Sequence, residues 1–256
     1  MLSANEQWQF MLSDIIKKGK TVKPRGMEVI ELLGYTSKIS MALPIVTNCD
    51  RNIGYKFMAA EAAWILSGDN RTSTITPFSR EIGTFSDDGI TYFGAYGPKI
   101  RDQLSYAAQC IAEDPDTRQA VINIWREKPG KTKDVPCTLS CQFLIRDDKL
   151  HIVDTMRSSD VWLGWPYDVF NFSMLARYML IYLANSYGKY YGLGELYLTA
   201  GSQHLYTRNL SGAKKCLQCT DRDGYNLPEY GTMKDPDELV DWLWEAAKND
   251  SLAVRS

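Results

Sequence analysis

The reactive groups of this 256-residue chain concentrate in one run, VPCTLSCQFLIRDDKLHIVDTMRSSDVWLGWPYDVFNF, residues 135–172. A thiol stands at Cys137 directly after Pro136, a guanidinium at Arg157, hydroxyls at Ser158 and Ser159, and carboxylates at Asp160 and Asp168. A thiol at a strand edge facing arginines is set up for a lowered pKa and hence for covalent work; the competing account is a thiol packed as a small hydrophobe. An arginine fork beside a hydroxyl is the usual equipment for a phosphate, although Arg157-Ser158-Ser159-Asp160 also reads as a polar strand end. Asp168, just ahead of an apolar run, fits an ordinary helix N-cap. Glu61 sits among Ala59, Ala60, Ala62 and Ala63, either as a lone surface group or as a buried functional one. His204 and Tyr206, two apart, face one way if extended, with a hydrogen-bonded core pair as the alternative. Jointly the set suits a site that handles an anionic substrate through a covalent step.

These groups need elements to hold them. Cys137, Leu139, Cys141 and Phe143 alternate with mostly polar residues, Asp147-Asp148 supplies a hairpin turn, and 150–156 returns as a second strand. Ahead of this hairpin the pattern predicts a helix over 5–18, a basic loop over 20–26 that contains Arg25, and strands over 27–33 and 39–46. A helix over 53–67 follows, with Phe57, Ala60, Trp64 and Ile65 on one face. Residues 72–97 have few periodic hydrophobics, and long irregular stretches in a compact domain are often functional. Further predictions are a helix over 98–113, a strand over 120–125, a polar loop over 127–134, an apolar helix over 169–186 and a strand over 195–200. A helix should open at Gln203-His204-Leu205-Tyr206 and run to about 218, and another should cover 235–248. With no repeat, low-complexity tract or linker, residues 1–256 are expected to form a single domain.

Composition excludes several classes of function. A net charge of −2 gives no global basic field for nucleic acid. No apolar run approaches the roughly 20 residues that span a bilayer, and the N-terminal segment reads as an amphipathic helix and not as a signal peptide. A cytoplasmic protein is expected, in the host cytoplasm if phage-encoded, with its six cysteines as free thiols. Cys216 and Cys219 form a lone C-x-x-C in a chain with two histidines, which does not amount to a zinc site.

In their order, these residues resemble the thymidylate synthase family over most of the chain. Pro136-Cys137 resembles its Pro-Cys nucleophile, and Arg157-Ser158-Ser159-Asp160-Val161-Trp162-Leu163-Gly164 its Arg-Ser-x-Asp-x-x-Leu-Gly signature. The helix around Glu61-Ala62-Ala63-Trp64-Ile65-Leu66-Ser67-Gly68-Asp69 resembles its Glu-Leu-x-Trp-x-Leu-x-Gly-Asp helix. Tyr96-Gly97, Asp114-Pro115-Asp116-Thr117-Arg118 and His204-Leu205-Tyr206 resemble its Tyr-Gly, Asp-Pro-Ser-Arg and His-x-Tyr segments. The resemblance implies an α/β (α+β) fold, a large mixed sheet packed by helices, and a homodimer formed through the sheets. It implies a pyrimidine nucleoside monophosphate substrate and 5,10-methylenetetrahydrofolate as cofactor. Cys137 would add to carbon 6 of the base, Tyr96 would help remove the carbon 5 proton through water, and Glu61 would organise the waters that shuttle protons and supply a final hydroxyl. Arg25, Arg157, Ser158 and the partner subunit's Arg118 would hold the phosphate, and His204 and Tyr206 the sugar. Ser159, Asp160 and Asn171 complete the implied substrate-binding set.

The departures from the family pattern narrow the expectation. Asp168 stands where thymidylate synthases have an asparagine that reads uracil. A carboxyl that carries a proton can donate to nitrogen 3 of cytosine and accept from its amino group. Asp168, Thr138 and Gly201-Ser202-Gln203-His204 are similar to what the deoxycytidylate hydroxymethylases of T-even-type phages carry. The C-terminal residues lack the short apolar tail that closes synthases over folate, and 72–85 lacks their tryptophan pair; both departures favour water addition over hydride transfer. Gln119 replaces a second arginine, and Cys49 replaces a lysine near the folate tail, so weak affinity for polyglutamates is expected. The expected reaction is hydroxymethylation of deoxycytidylate (dCMP). The alternatives are methylation of deoxyuridylate (dUMP) or dCMP, hydroxymethylation of CMP or dUMP, and a catalytically dead nucleotide-binding protein.

Overall fold

The computed structural model describes residues 2–48, 50–127, 130–219 and 225–252. Cys49, part of the loop over 127–134 and the last four residues, all of which entered the expectations above, lie outside that set. Helix α1 (Ala4–Lys18) begins in a capping box in which Ser3 and Glu6 satisfy each other's backbone N–H groups, and it buries Trp8, Met11, Leu12 and Ile15. Gly19 ends it, because a Cβ there would lie 2.6 Å from the Ile15 carbonyl oxygen. Short strand β1 (Lys20–Val22) leads into β2 (Val29–Ser40). Helices α2 (Tyr55–Leu66), α3 (Thr72–Ile75) and α4 (Gly97–Glu113) precede the short strand β3 (Val121–Asn123). The hairpin β4 (Thr138–Arg146) and β5 (Lys149–Asp160) is followed by α5 (Trp165–Tyr187), β6 (Gly192–Tyr206), α6 (Leu210–Cys216) and α7 (Pro236–Asn249). None of the described helices is long and apolar enough to cross a membrane.

The strands form one six-stranded sheet in the order β1-β2-β6-β5-β4-β3. Neighbours are antiparallel except β5 and β6, which run parallel and are therefore joined by a crossover, the 23-residue α5. That helix is buried on nearly all sides, which explains its apolar composition. Helix α1 packs on β2, α5 on β5 and β6, and α2 against both α5 and α7. The opposite sheet face carries half-exposed residues such as Val153, Thr155, Tyr197 and Thr199.

A line of irregularities crosses the sheet. Gly34, at φ 61°, faces Gly201 between the pairs Leu33–Ser202 and Tyr35–Ala200. Gly201 lies beside Arg157, and β4 inserts the extra residue Leu139 between Thr138 and Ser140. The burial pattern slips there in three strands: Asp154 and Met156 give way to Ser159, Leu198 and Ala200 to Gln203, and Cys141 to Thr138. Cys137 therefore does not share the face of Cys141 and Phe143, as simple alternation predicted. The bulge frees it from the core.

Other expectations are corrected as well. The strands predicted over 27–33 and 39–46 are one strand ending at Ser40, and its polar middle is tolerated because one sheet face is open. Met41, Ile45 and Val46 enter the core without strand structure. Residues 203–206 do not open a helix; they continue β6, with His204 paired to Glu31 and Tyr206 to Val29. The turn at Asp147 and Asp148 is as read, both at positive φ of 51° and 55°.

Candidate active site

The cleft lies where α2, the start of α5 and the loop before α4 meet, beside the bulged start of β4. Cys137 stands just ahead of β4, with its Sγ 3.6 Å from Nη2 of Arg157. Arg157 also donates from Nε to the Pro136 carbonyl at 2.9 Å and from Nη2 to the Val135 carbonyl at 3.0 Å, so it straps down the segment that carries the thiol. The expected lowering of the thiol pKa does not hold in the unliganded protein. Burial pushes the Cys137 thiol up, Asp168 and Asp134 add to this, and the Arg157 and Ser158 contributions only oppose it.

Glu61 projects from α2 toward α5, and the alanines around it let the two helices approach closely. Its Oε2 accepts a hydrogen bond from Nδ2 of Asn171 at 2.8 Å. Burial pushes its pKa up to about 7 against that bond, and its place on the cavity wall rules out the lone surface group. Oδ1 of Asn171 is buried without a partner among the described residues. Tyr96, at the head of α4, accepts the Thr138 backbone N–H at 3.2 Å, and burial together with the charges of Cys137 and Asp168 holds it as the neutral phenol.

Asp168 is not the N-cap of α5. Gly164 holds that place, and Asp168 lies a turn further in. Its carboxyl makes no hydrogen bond with any described residue and faces the same cavity, of about 140 Å³, as Glu61, Tyr96 and Asn171. Burial first, then the charges of Glu61, Asp154 and Asp160, raises its pKa well above the ordinary carboxylate value, which favours its protonated form. The rest of this cavity was not legible from sequence. Ile82 and Phe85, three apart in a single turn, form an apolar wall with Ile65 where no tryptophan pair exists. Asp134 lines it too, and the nearby Trp64 indole N–H and Tyr92 hydroxyl are buried without partners among the described residues. An apolar wall with unpaired polar groups beside it fits a flat heteroaromatic ring with a polar edge.

Along β5 and β6 the remaining candidates spread away from the thiol. Ser159 is 2% exposed, and its Oγ accepts from Nε2 of Gln203 at 3.2 Å, so this buried pair ties the two strands together. Asp160 accepts the Trp162 and Leu163 N–H groups at 2.8 and 3.1 Å through Oδ1, which leaves Oδ2 buried and unpaired. His204 pairs with Asp160 across the strands and stacks edge-on to Tyr206 at 5.3 Å, both half-exposed; they are not a hydrogen-bonded core pair. Arg25 is exposed in the turn before β2, whose first residue pairs with Tyr206. Arg118 is not brought to the cleft within one chain. Its carbonyl accepts from Gln142, which is four residues along β4 from Thr138, a separation of about 13 Å at strand rise.

Comparison with known proteins agrees with this geometry. The thymidylate synthase family model matches residues 6–247. The deoxyuridylate hydroxymethyltransferase of Bacillus phage SP01 is 30% identical over 90% of this chain and 64% of its own length, so the chain spans less than two thirds of that relative. Thymidylate synthases of Buchnera aphidicola subsp. Baizongia pistaciae and subsp. Schizaphis graminum are 26% and 27% identical, over 91% and 95% of this chain and 90% and 94% of theirs. With the match running through nearly every element that builds the cleft, the chain belongs to the thymidylate synthase family, whose members modify carbon 5 of a pyrimidine nucleotide.

Proposed function

We propose that this protein is a hydroxymethyltransferase that converts dCMP to 5-hydroxymethyl-dCMP with 5,10-methylenetetrahydrofolate and water. The observation that carries the reading is the Asp168 carboxyl, which lines the cavity, bonds to no described residue and is favoured in its protonated form by burial. A protonated carboxyl donates to the bare nitrogen 3 of cytosine through its O–H and accepts from the amino group through its other oxygen. Uracil presents a proton and a carbonyl at those positions, and each mismatched buried group costs about 1–3 kcal/mol.

In this reading Cys137 forms the bond to carbon 6, with Arg157 holding its segment in place. The folate supplies a one-carbon unit at the oxidation level of formaldehyde, and the wall of Ile82 and Phe85 is its seat. Tyr96 helps remove the carbon 5 proton through water, and Glu61, poised near neutral pH, exchanges protons with the base. Arg25, Arg157 and Ser158 hold the phosphate, His204 and Tyr206 the sugar, and Ser159, Asp160 and Asn171 support the floor. Arg118 belongs to a neighbouring site, which it reaches if two copies pair through the open sheet face. Residues 1–256 act as one catalytic domain in the cytoplasm. The competing substrate is dUMP, favoured by what the SP01 relative acts on.

The test is a matched assay of dCMP, CMP and dUMP that follows the folate product and the nucleotide mass. The expected result is tetrahydrofolate release with a hydroxymethyl-dCMP mass. Asp168→Asn should shift the dCMP-to-dUMP ratio of kcat/KM toward dUMP by roughly 5- to 150-fold. Release of dihydrofolate with a methylated base, or a base preference unchanged in Asp168→Asn, would refute the reading.

A further inference from the structure

Asp134 precedes Cys137 by three residues and belongs to none of the recognised motifs, yet it lines the cavity with Glu61, Tyr96, Asp168 and Asn171. Its position is built. Oδ2 accepts the Gly94 N–H at 2.7 Å, and its own N–H donates to Oγ1 of Thr132 at 3.1 Å. That loop is tied in turn to Asp87, which accepts the Thr132 hydroxyl and the Lys133 N–H. A Cβ at Gly94 would lie 2.6 Å from the Asp134 carbonyl oxygen and 3.0 Å from Oδ1, so glycine is what lets the loop carry a carboxyl so close. Oδ1 bonds to no described residue. With Oδ2 taken by the Gly94 N–H, Oδ1 is left for a polar group in the cavity.

We propose that Asp134 holds the water that becomes the hydroxyl group and takes its proton as it adds. The inference rests on the hydroxymethyltransferase reading and divides labour that the motifs gave to Glu61 alone: Glu61, engaged by Asn171, serves the proton transfers at the base. In the step concerned, Cys137 is bonded to carbon 6 and the one-carbon unit is an exocyclic methylene on carbon 5. The water oxygen bonds to the methylene carbon, and the methylene π pair moves into the ring. That pair then restores the carbon 5–carbon 6 double bond as the carbon 6–sulfur bond breaks, releasing the Cys137 thiolate. The water proton goes to the Asp134 carboxylate, and nothing is oxidised or reduced. Burial raises the basicity of Asp134, with Asp87 adding and the Gly94 bond and Arg126 opposing.

The experiment separates this step from the earlier ones. A 5-fluorinated dCMP has no carbon 5 proton to lose, so with methylenetetrahydrofolate it stops as a covalent Cys137 adduct, read by intact mass. Asp134→Leu should form that adduct at a rate within about twofold of the wild type. Its hydroxymethyl-dCMP turnover should fall by about 10²-fold or more, and added 2-mercaptoethanol should divert the methylene to a thioether of dCMP. Asp134→Asn should also lose turnover, since an amide holds water but takes no proton. Turnover of Asp134→Leu within threefold of wild type would overturn the proposal, as would a parallel loss of adduct and turnover. A wild-type enzyme that makes no hydroxymethyl product would overturn the function itself before any variant is compared.

Discussion

Asp154 stands on the covered face of β5, with Oδ1 accepting the Cys141 thiol at 3.3 Å and Oδ2 buried without a partner. Burial pushes its pKa up to about 8. The folded state thus holds a proton that the unfolded chain releases in the ordinary carboxylate range. Between those values the native state binds more protons, so stability falls as pH rises, by up to about 1.4 kcal/mol per pH unit for one such group. Asp154→Asn keeps the shape and removes the titration. Its urea midpoint relative to wild type should therefore climb from pH 5 to pH 8, and a constant offset across that range would show that Asp154 is not buried as a neutral acid. At this scale the sequence revealed groups through motif order: Glu61, Tyr96 and Asp168 line one cavity, and Cys137 lies near enough to Tyr96 and Asp168 to act on them electrostatically. It did not reveal Asp154 or Asp134, because an acid in a strand or loop looks solvated until its neighbours in space are known. Nor did it reveal that burial outweighs Arg157 at the thiol, since desolvation depends on what covers the group.

The line of irregularities from Gly34 to Leu139 shows how elements aim residues. It reverses the alternation in β4, so that Thr138 joins the core face while Cys137 is left for the cleft. At Gly201 an added Cβ would lie 3.0 Å from the Arg157 carbonyl oxygen, and the Arg157 N–H donates to the Cys137 carbonyl at 2.8 Å. Gly201→Ala should therefore push on the strand that carries the thiol, costing about 1–3 kcal/mol and lowering kcat/KM by roughly tenfold. Gly34→Ala meets open space and suffers only its positive φ, about 1–2 kcal/mol, with kcat/KM intact. Equal losses of activity in the two variants would mean that the bulge line does not set the thiol. The helices α1, α4 and α7 were legible because caps and periodicity are local. Strands β2 and β6 were misread at Gly34 and Gly201, where a glycine that looks like an ending is passed by strands that keep their register.

At the scale of the whole molecule, the sheet covers one face with helices and leaves the other half-exposed, and the placement of Arg118 gives that asymmetry a use. Arg118 sits with β3 at the edge, about 13 Å or more along the sheet from the thiol's end of β4. In the proposed dimer it serves phosphate binding at the other copy's cleft, because a two-fold pairing would supply each site with one such arginine. The chain's sequence carries no trace of this beyond the resemblance, since dimer faces read as ordinary half-polar strands. Cys137→Ala should abolish activity outright, and Arg118→Ala should raise the KM for the nucleotide strongly. Mixed in equal amounts and allowed to exchange subunits, half the dimers become hybrids. Each hybrid then has one site with an intact thiol and an intact partner arginine, so activity at low nucleotide concentration should return to about a quarter of wild type. If the mixture stays at the mean of the two variants after exchange is verified by mass, each site is complete within its own chain, and the phosphate is held by Arg25 and Arg157 without help from a second subunit.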